Sequence, residues 1–327
     1  MAVNAVRGRA RRPALSQRIF AQRLLRGATG LAALVSFGLV FVMLAGLFVY
    51  AYPAIRFNGL GFFTSITWNI GNQYGSGALL SHGGYTAEPG ASFGSIVFVV
   101  GTLLTSFLAM LVAVPFSILV ALAIVYRIPS RIKPLANAIL ELMAGVPSVV
   151  YGLWGMIVLV PYIGRVSGTG SGNGLLAATV ILAIMIVPIM VATTRDAIQA
   201  QSADIYEASI ALGSTSWQAV TRAVLPSVRG GIGASVLLAL GRALGETMAV
   251  LMVCGSAINS LPHSIFSPVN TIAAVIVSQL ESALTDASGM AQHSLGELAL
   301  TLFVITLLVN GVARVVLRGA PHAGAIG

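Results

Sequence analysis

Residues 94–126 read GSIVFVVGTLLTSFLAMLVAVPFSILVALAIVY, without one charged side chain. As a single helix rising 1.5 Å per residue, a run of about 31 such residues is about 46 Å long. A bilayer's hydrocarbon core is ~30 Å thick and is crossed by about 20 apolar residues. The run is therefore expected to cross a membrane, with its surplus length taken up by tilt, protrusion or a bend at Pro115.

Five more runs of this kind flank it, roughly 31–51, 135–160, 174–193, 231–258 and 295–317. The expected fold is an all-α integral membrane protein with six transmembrane helices. The first run follows an Arg-rich start, as a signal peptide does, but it is about twice the usual signal core in length and is read as a retained helix. Pro147 and Pro188 fall inside the third and fourth spans, where neighbouring helices can satisfy the freed carbonyls. Residues 271–284 (TIAAVIVSQLESAL) are too short to cross and are closed by Gln279 and Glu281, so they are read as an interfacial helix on the outer side.

Composition agrees. Of the 327 residues 57% are apolar and 8% charged, with a mean hydropathy of +0.93. A soluble domain carries about a quarter charged residues. The net charge of +9 comes from seventeen arginines and Lys133 against nine carboxylates. With the N-terminus inside, fifteen of these cations lie on the inner side, two (Arg56, Arg165) outside, and Arg242 within the fifth span. That asymmetry orients the chain and needs no nucleic acid to explain it. Residues 1–30 and 319–327 become inner tails, and 31–318 the transmembrane domain.

Several chemistries are set aside. A lone Cys254 forms no intrachain disulfide, and His82, His263, His293 and His322 lack the spacing of a metal site. Neither a metal nor a cofactor is expected. The sole lysine follows Ile132 rather than Gly, so no phosphate-cradling P-loop exists and any ATP must be hydrolysed by a partner. The outer segment 52–93 is Gly-rich and nearly uncharged, with Trp68, Tyr74 and Tyr85 as expected interface anchors.

The inner segment 194–230 is more than a linker. Asp204 and Glu207 resemble the start of a capping box, helix formers run from Ile205 to Leu212, and Gly213 supplies a stop. Thr215 with Gln218 opens a second short helix, and Pro226 marks the next expected break. The product over 204–226 is a knob bearing Tyr206, Ile210 and Trp217, suited to a groove on another protein. The alternative is a structured loop packed on its own helix ends.

Arg242 is the sharpest single feature. Eleven residues after Gly231, it lies ~16 Å into the fifth span, where an Arg costs several kcal/mol to bury. Glu246, four residues on, is expected one turn away on the same face. A structural ion pair is one reading. An anion pathway is the other, because the planar guanidinium matches an oxyanion bidentately, while Glu246 holds it in place or keeps the anion from sticking. Glu141, near the inner end of the third span, is a weaker gate candidate.

These residues carry a family resemblance. Glu207-Ala208-Ser209, Gly213 and Leu225-Pro226 resemble the EAA-x3-G-x9-I-x-L-P motif of ABC importer permeases, with Ser209 for the second Ala and Ala223 for Ile. In that superfamily the segment is the coupling helix that docks into the ATPase. GRALGETMAV (241–250), ELMAGVPSVVYGLWG (141–155), ILAIMIVPI (181–189) and FFTSITWN (62–69) narrow the resemblance to PstC-type permeases of phosphate-specific importers, over about 30 to 318. PstA-type sister subunits share the Gly-Glu-Thr but differ around it.

The resemblance implies a type I importer permease fold in a prokaryotic inner membrane. It implies a heterodimer with a PstA-type permease, two copies of an ATP-binding subunit inside and a phosphate-binding protein outside. The cargo would be inorganic phosphate, passing Arg242 and Glu246 in alternating access, with lipid around the spans. Two rivals remain: a permease for another oxyanion such as sulfate or molybdate, and a gradient-driven anion transporter with Glu246 carrying a proton. A membrane scaffold without transport is a third reading.

Overall fold

The computed structural model describes residues 15–72, 77–168, 170–201 and 203–318. Six of its helical stretches are long and apolar enough to cross a membrane. The chain divides into two units, residues 1–49 and 50–327.

The first unit carries most of α1 (Leu15–Asn58), which already begins within the segment expected to be a tail. Leu34, Phe37, Phe41 and Met43 are exposed along it, an apolar surface suited to lipid or to another apolar face.

The second unit begins with the last turns of α1, followed by α2 (Gly61–Thr64), β1 (Trp68–Asn69), β2 (Leu80–His82), β3 (Tyr85–Ala87) and β4 (Ser92–Phe93). β1 pairs antiparallel with β4, and β2 with β3. The second pair is a hairpin turned by Gly83 and Gly84 at φ 62° and 87°, the positive angles that such a two-residue turn demands. β1 and β4 fold the segment back over the helix that follows, so Trp68 is not an interface anchor. It is 4% exposed and meets Phe93 and Phe98 edge-on at 5.2 and 5.6 Å. Tyr85 packs against the same cluster, and Tyr74 lies outside the described residues.

The helices that follow are α3 (Ile96–Tyr126), α4 (Lys133–Gly145), α5 (Ser148–Trp154), α6 (Val160–Ser167), α7 (Leu175–Gln201), α8 (Ala203–Ala211), α9 (Ser216–Gln218), α10 (Leu225–Gly245), α11 (Met248–Leu251), α12 (Ile272–Leu284) and α13 (Met290–Arg318). Two π-helical segments, Gly155–Leu159 and Ala219–Val224, join α5 to α6 and α9 to α10. Each holds the residue four before a proline, Ile157 before Pro161 and Arg222 before Pro226. A proline ring clashes with that carbonyl in an α-helix, and the wider π turn relieves the clash. Pro226 is therefore not a break, and the helix runs through from Ser216 to Gly245.

Two expected spans are redrawn. The run 135–160 is cut at Val146–Pro147, because the residue before proline is driven out of the α region. Val146 sits at φ −66°, ψ 128°, and the crossing-length helix is Ser148–Ser167. The run 231–258 likewise ends at Gly245, after which Glu246 is extended. The separate helix expected over 271–284 is α12, N-capped by Thr271, whose hydroxyl accepts from the Ala274 amide.

The core lies around α7, the most buried span at 67% of its apolar window. Ala109, Ala113, Ala183, Ala239 and Ala243 draw α3, α7 and α10 together with Leu182, Met185 and Ile186. Small side chains do this in a membrane because close packing replaces the hydrophobic drive. At one end of α3, Gly101 lies against the Asn270 carbonyl and the Thr102 hydroxyl accepts from the Ile272 amide at 2.9 Å. Cys254 is buried nearby.

Candidate functional site

Arg242 occupies the last turn of α10, which ends at Gly245. Its neighbour Ala243 packs with Leu182, Ala183, Met185 and Ile186 of α7. Those residues lie roughly 10–17 Å along α7 from its Leu175 end, so the guanidinium stands well within the depth of the spans. The side chain is exposed on this chain. No side chain among the described residues neutralises it, and the one ion pair there joins Arg195 to Asp196 at 2.8 Å.

Glu246 does not stand one turn above Arg242 as expected. It leaves the helix at φ −70°, ψ 127°, and its Oε1 accepts from the Ala249 amide at 3.3 Å. The carboxylate thus caps α11, satisfying an orphan amide of that short helix. The helix between the two residues had been inferred from hydropathy, which counts apolar residues and is blind to a two-residue interruption. Glu141 is exposed on α4, two residues before Met143, and forms no ion pair with Arg242.

Two interruptions therefore face this region with matching geometry. Val146 and Glu246 follow Gly145 and Gly245 and adopt nearly the same angles. Beyond them α5 and α11 touch closely: a Cβ on Gly152 would sit 2.9 Å from the Ala249 Cα and 2.8 Å from the Met252 Sδ. Tyr151, next to that contact, donates its hydroxyl to the Met143 carbonyl at 2.8 Å, bridging the break between α4 and α5. Its ring packs against the cluster that holds Ala239 and Ala243, on either side of Arg242 in sequence. Tyr151 was not singled out from sequence, because an aromatic residue within an apolar span reads as core.

Glu297 was also missed. It is 3% exposed near the start of α13, and Asn58 Nδ2 donates to its Oε2 at 2.8 Å. A carboxylate inside an apolar run is a signal in itself.

In the segment 204–226, Gly213 takes φ 87° and closes α8, with its amide donating to the Ile210 carbonyl. Thr215 and Gln218 form both bonds of a capping box at 3.3 and 3.0 Å. Asp204 lies inside the first turn of α8 and is not a cap. Glu207 and Ala208 are exposed, while Ser209 turns its hydroxyl back to the Ile205 carbonyl. Leu225 and Pro226 open α10. Of the three knob residues, Ile210 and Trp217 are exposed, but Tyr206 points inward to stack on Tyr126. Leu212, at 88% exposure, presents the most prominent apolar side chain of the segment.

Residues 113–319 match the family model described as the inner membrane component of binding-protein-dependent transport systems. The phosphate transport system permease protein PstC 1 of Mycobacterium tuberculosis is 43% identical over 289 residues, covering 83% of this chain and 85% of that one. The corresponding PstC of Mesorhizobium japonicum is 35% identical over 302 residues, covering 85% and 86%. Among solved structures, an inward-facing MetNI methionine ABC transporter superposes with a TM-score of 0.52 at 18% identity, over 70% of this chain and 94% of that one. A bacterial ABC transporter for the acidic polysaccharide alginate gives 0.50 at 19% identity, over 69% and 80%. These likenesses establish the fold.

Proposed function

Because the chain belongs to the PstC family of phosphate transport permeases within the binding-protein-dependent importers, we propose that it forms half of an ATP-driven pathway for inorganic phosphate. The observation that carries the pathway reading is the bare guanidinium of Arg242. A charge at this depth costs several kcal/mol against lipid. Its exposed face is therefore covered by a second permease and the aqueous route between the two subunits. Phosphate oxygens meet the planar guanidinium there bidentately.

The partners are a PstA-type permease, two ATP-binding subunits and a phosphate-binding protein on the far side. ATP is hydrolysed by the ATP-binding subunits. The surface formed by Glu207, Ala208, Ile210, Leu212 and Trp217 supports docking to one of them. The excess of basic residues on one side supports an orientation with both termini in the cytoplasm. Glu246 holds the α10–α11 elbow beside Arg242, and Glu141 stands at the inner approach.

Reconstitution of this chain with the PstA-type subunit, with and without the ATPase, is the test. Phosphate uptake should require the ATPase, ATP and the loaded binding protein. Uptake driven by a proton gradient in the absence of the ATPase would instead establish a secondary transporter. Complexes that assemble but move no anion would establish a scaffold.

A further inference from the structure

The Tyr151 hydroxyl has a replaceable role in the resting structure. It donates to the Met143 carbonyl, an oxygen in the last turn of α4 that lacks an i+4 donor because residue 147 is proline. That oxygen also accepts from the Val146 amide at 3.3 Å. If the hydroxyl proton turns away, the carbonyl keeps one hydrogen bond and the elbow keeps its backbone closure. The ring packs against the clusters on both sides, and rotation about the Cζ–Oη bond redirects the hydroxyl proton while the ring stays in place.

Near it is Arg242, which has no ion-pair partner among the described residues. Tyr151 packs against the cluster that holds Ala243, the neighbour of Arg242, and the two elbows are brought together by the close contact of Gly152 with Ala249. A single guanidinium cannot satisfy the oxygens of a tetrahedral oxyanion stripped of water. Each oxygen left unpaired in a low-dielectric site is costly. A second donor is needed, and Tyr151 on the opposing elbow can supply it.

We propose that Tyr151 is a second anion-contacting residue: its hydroxyl proton turns from the Met143 carbonyl to the passing anion, which Arg242 also contacts. The proposal rests on the phosphate-import reading and names a ligand class within it. When the proton turns away, one lone pair of the Met143 carbonyl is freed. A protonated oxyanion, such as hydrogen phosphate, can donate its own O–H to that lone pair, whereas a fully deprotonated oxyanion cannot. The elbow thus offers a donor and an acceptor in exchange for one internal hydrogen bond.

Tyr151→Phe removes the hydroxyl and keeps the ring. In the complete complex in proteoliposomes, supplied with phosphate-loaded binding protein, it should lower the uptake rate about tenfold, as loss of a hydrogen bond to a charged group does. Complex yield and the binding-protein concentration giving half-maximal uptake should stay unchanged. Arg242→Lys serves as the second arm, and the double variant should lose less than the product of the two single losses, because both groups act on one anion. Uptake at the wild-type rate in Tyr151→Phe, or losses that simply multiply, would overturn the proposal. A fall in complex yield would also overturn it, by assigning the hydroxyl to the stability of the elbow. If the wild-type complex imported no phosphate, the underlying reading would fail first, and that control distinguishes the two.

Discussion

The rings of Tyr126 and Tyr206 lie 4.7 Å apart at an interplanar angle of 31°, joining the end of α3 to α8, the proposed coupling helix. A ring pair of this kind contributes about 0.5–1.5 kcal/mol beyond its buried area. It also links α3 to α8, which packs in addition against α7 and the Ala219–Val224 segment. Tyr206→Ala should leave the ATPase bound but reduce phosphate imported per ATP hydrolysed, while Tyr206→Phe should retain coupling. The ratio of uptake to ATP turnover in proteoliposomes checks this. A normal ratio in the alanine variant would remove the stack from the coupling route.

Gly213 stands in open space, yet its φ of 87° excludes most side chains. Gly213→Val should cost about 1–3 kcal/mol in backbone strain and displace α9 from α8. Gly213→Asn should be milder, since Asn visits the left-handed region more readily. Recovery of the ATPase with the tagged permease should rank glycine above asparagine above valine. Equal recovery by all three would disprove the conformational account.

Arg242 and Glu246 are separable. Arg242→Gln removes an unpartnered charge, so the complex should assemble while uptake is abolished. Glu246→Gln keeps an acceptor oxygen for the Ala249 amide, whereas Glu246→Ala loses the cap at a cost of about 0.5–2 kcal/mol. Thermal unfolding in detergent should therefore shift for the alanine variant and hold for glutamine. Loss of uptake in the glutamine variant would then report on the charge alone.

Gly101→Ala should be among the most damaging small substitutions. Its Cβ would overlap the Asn270 carbonyl oxygen, a backbone atom that cannot turn aside. Overpacking of a core costs about 1–3 kcal/mol. Gly145→Ala, with nothing within 4 Å of the added carbon, is the control and should be neutral for stability. Melting temperatures of the two purified variants compare them directly.

The six long helices were legible because hydropathy and length alone decide a crossing, and the coupling turn because Gly213 and the Thr215–Gln218 box are local chemistry. The two elbows were not. Pro147 was visible, but a proline within an apolar run is equally compatible with a kinked span. At Glu246–Thr247 only Gly245 punctuates the sequence, so Arg242 and Glu246 were placed on one helical face that does not exist. Tyr151 was illegible for a different reason: its role depends on which carbonyl the folded chain leaves without a helical partner. Trp68 was misplaced because its burial follows from the pairing of β1 with β4, a contact between residues far apart in sequence.

The tether between Thr102 and the Ile272 amide and the stack between Tyr126 and Tyr206 are fixed to the same helix, about 36 Å apart. α3 is therefore a lever with a grip at each end and one soft point, Pro115, between them. A push on the knob at one face would reach the α12 side along this one helix, without passing through any loop.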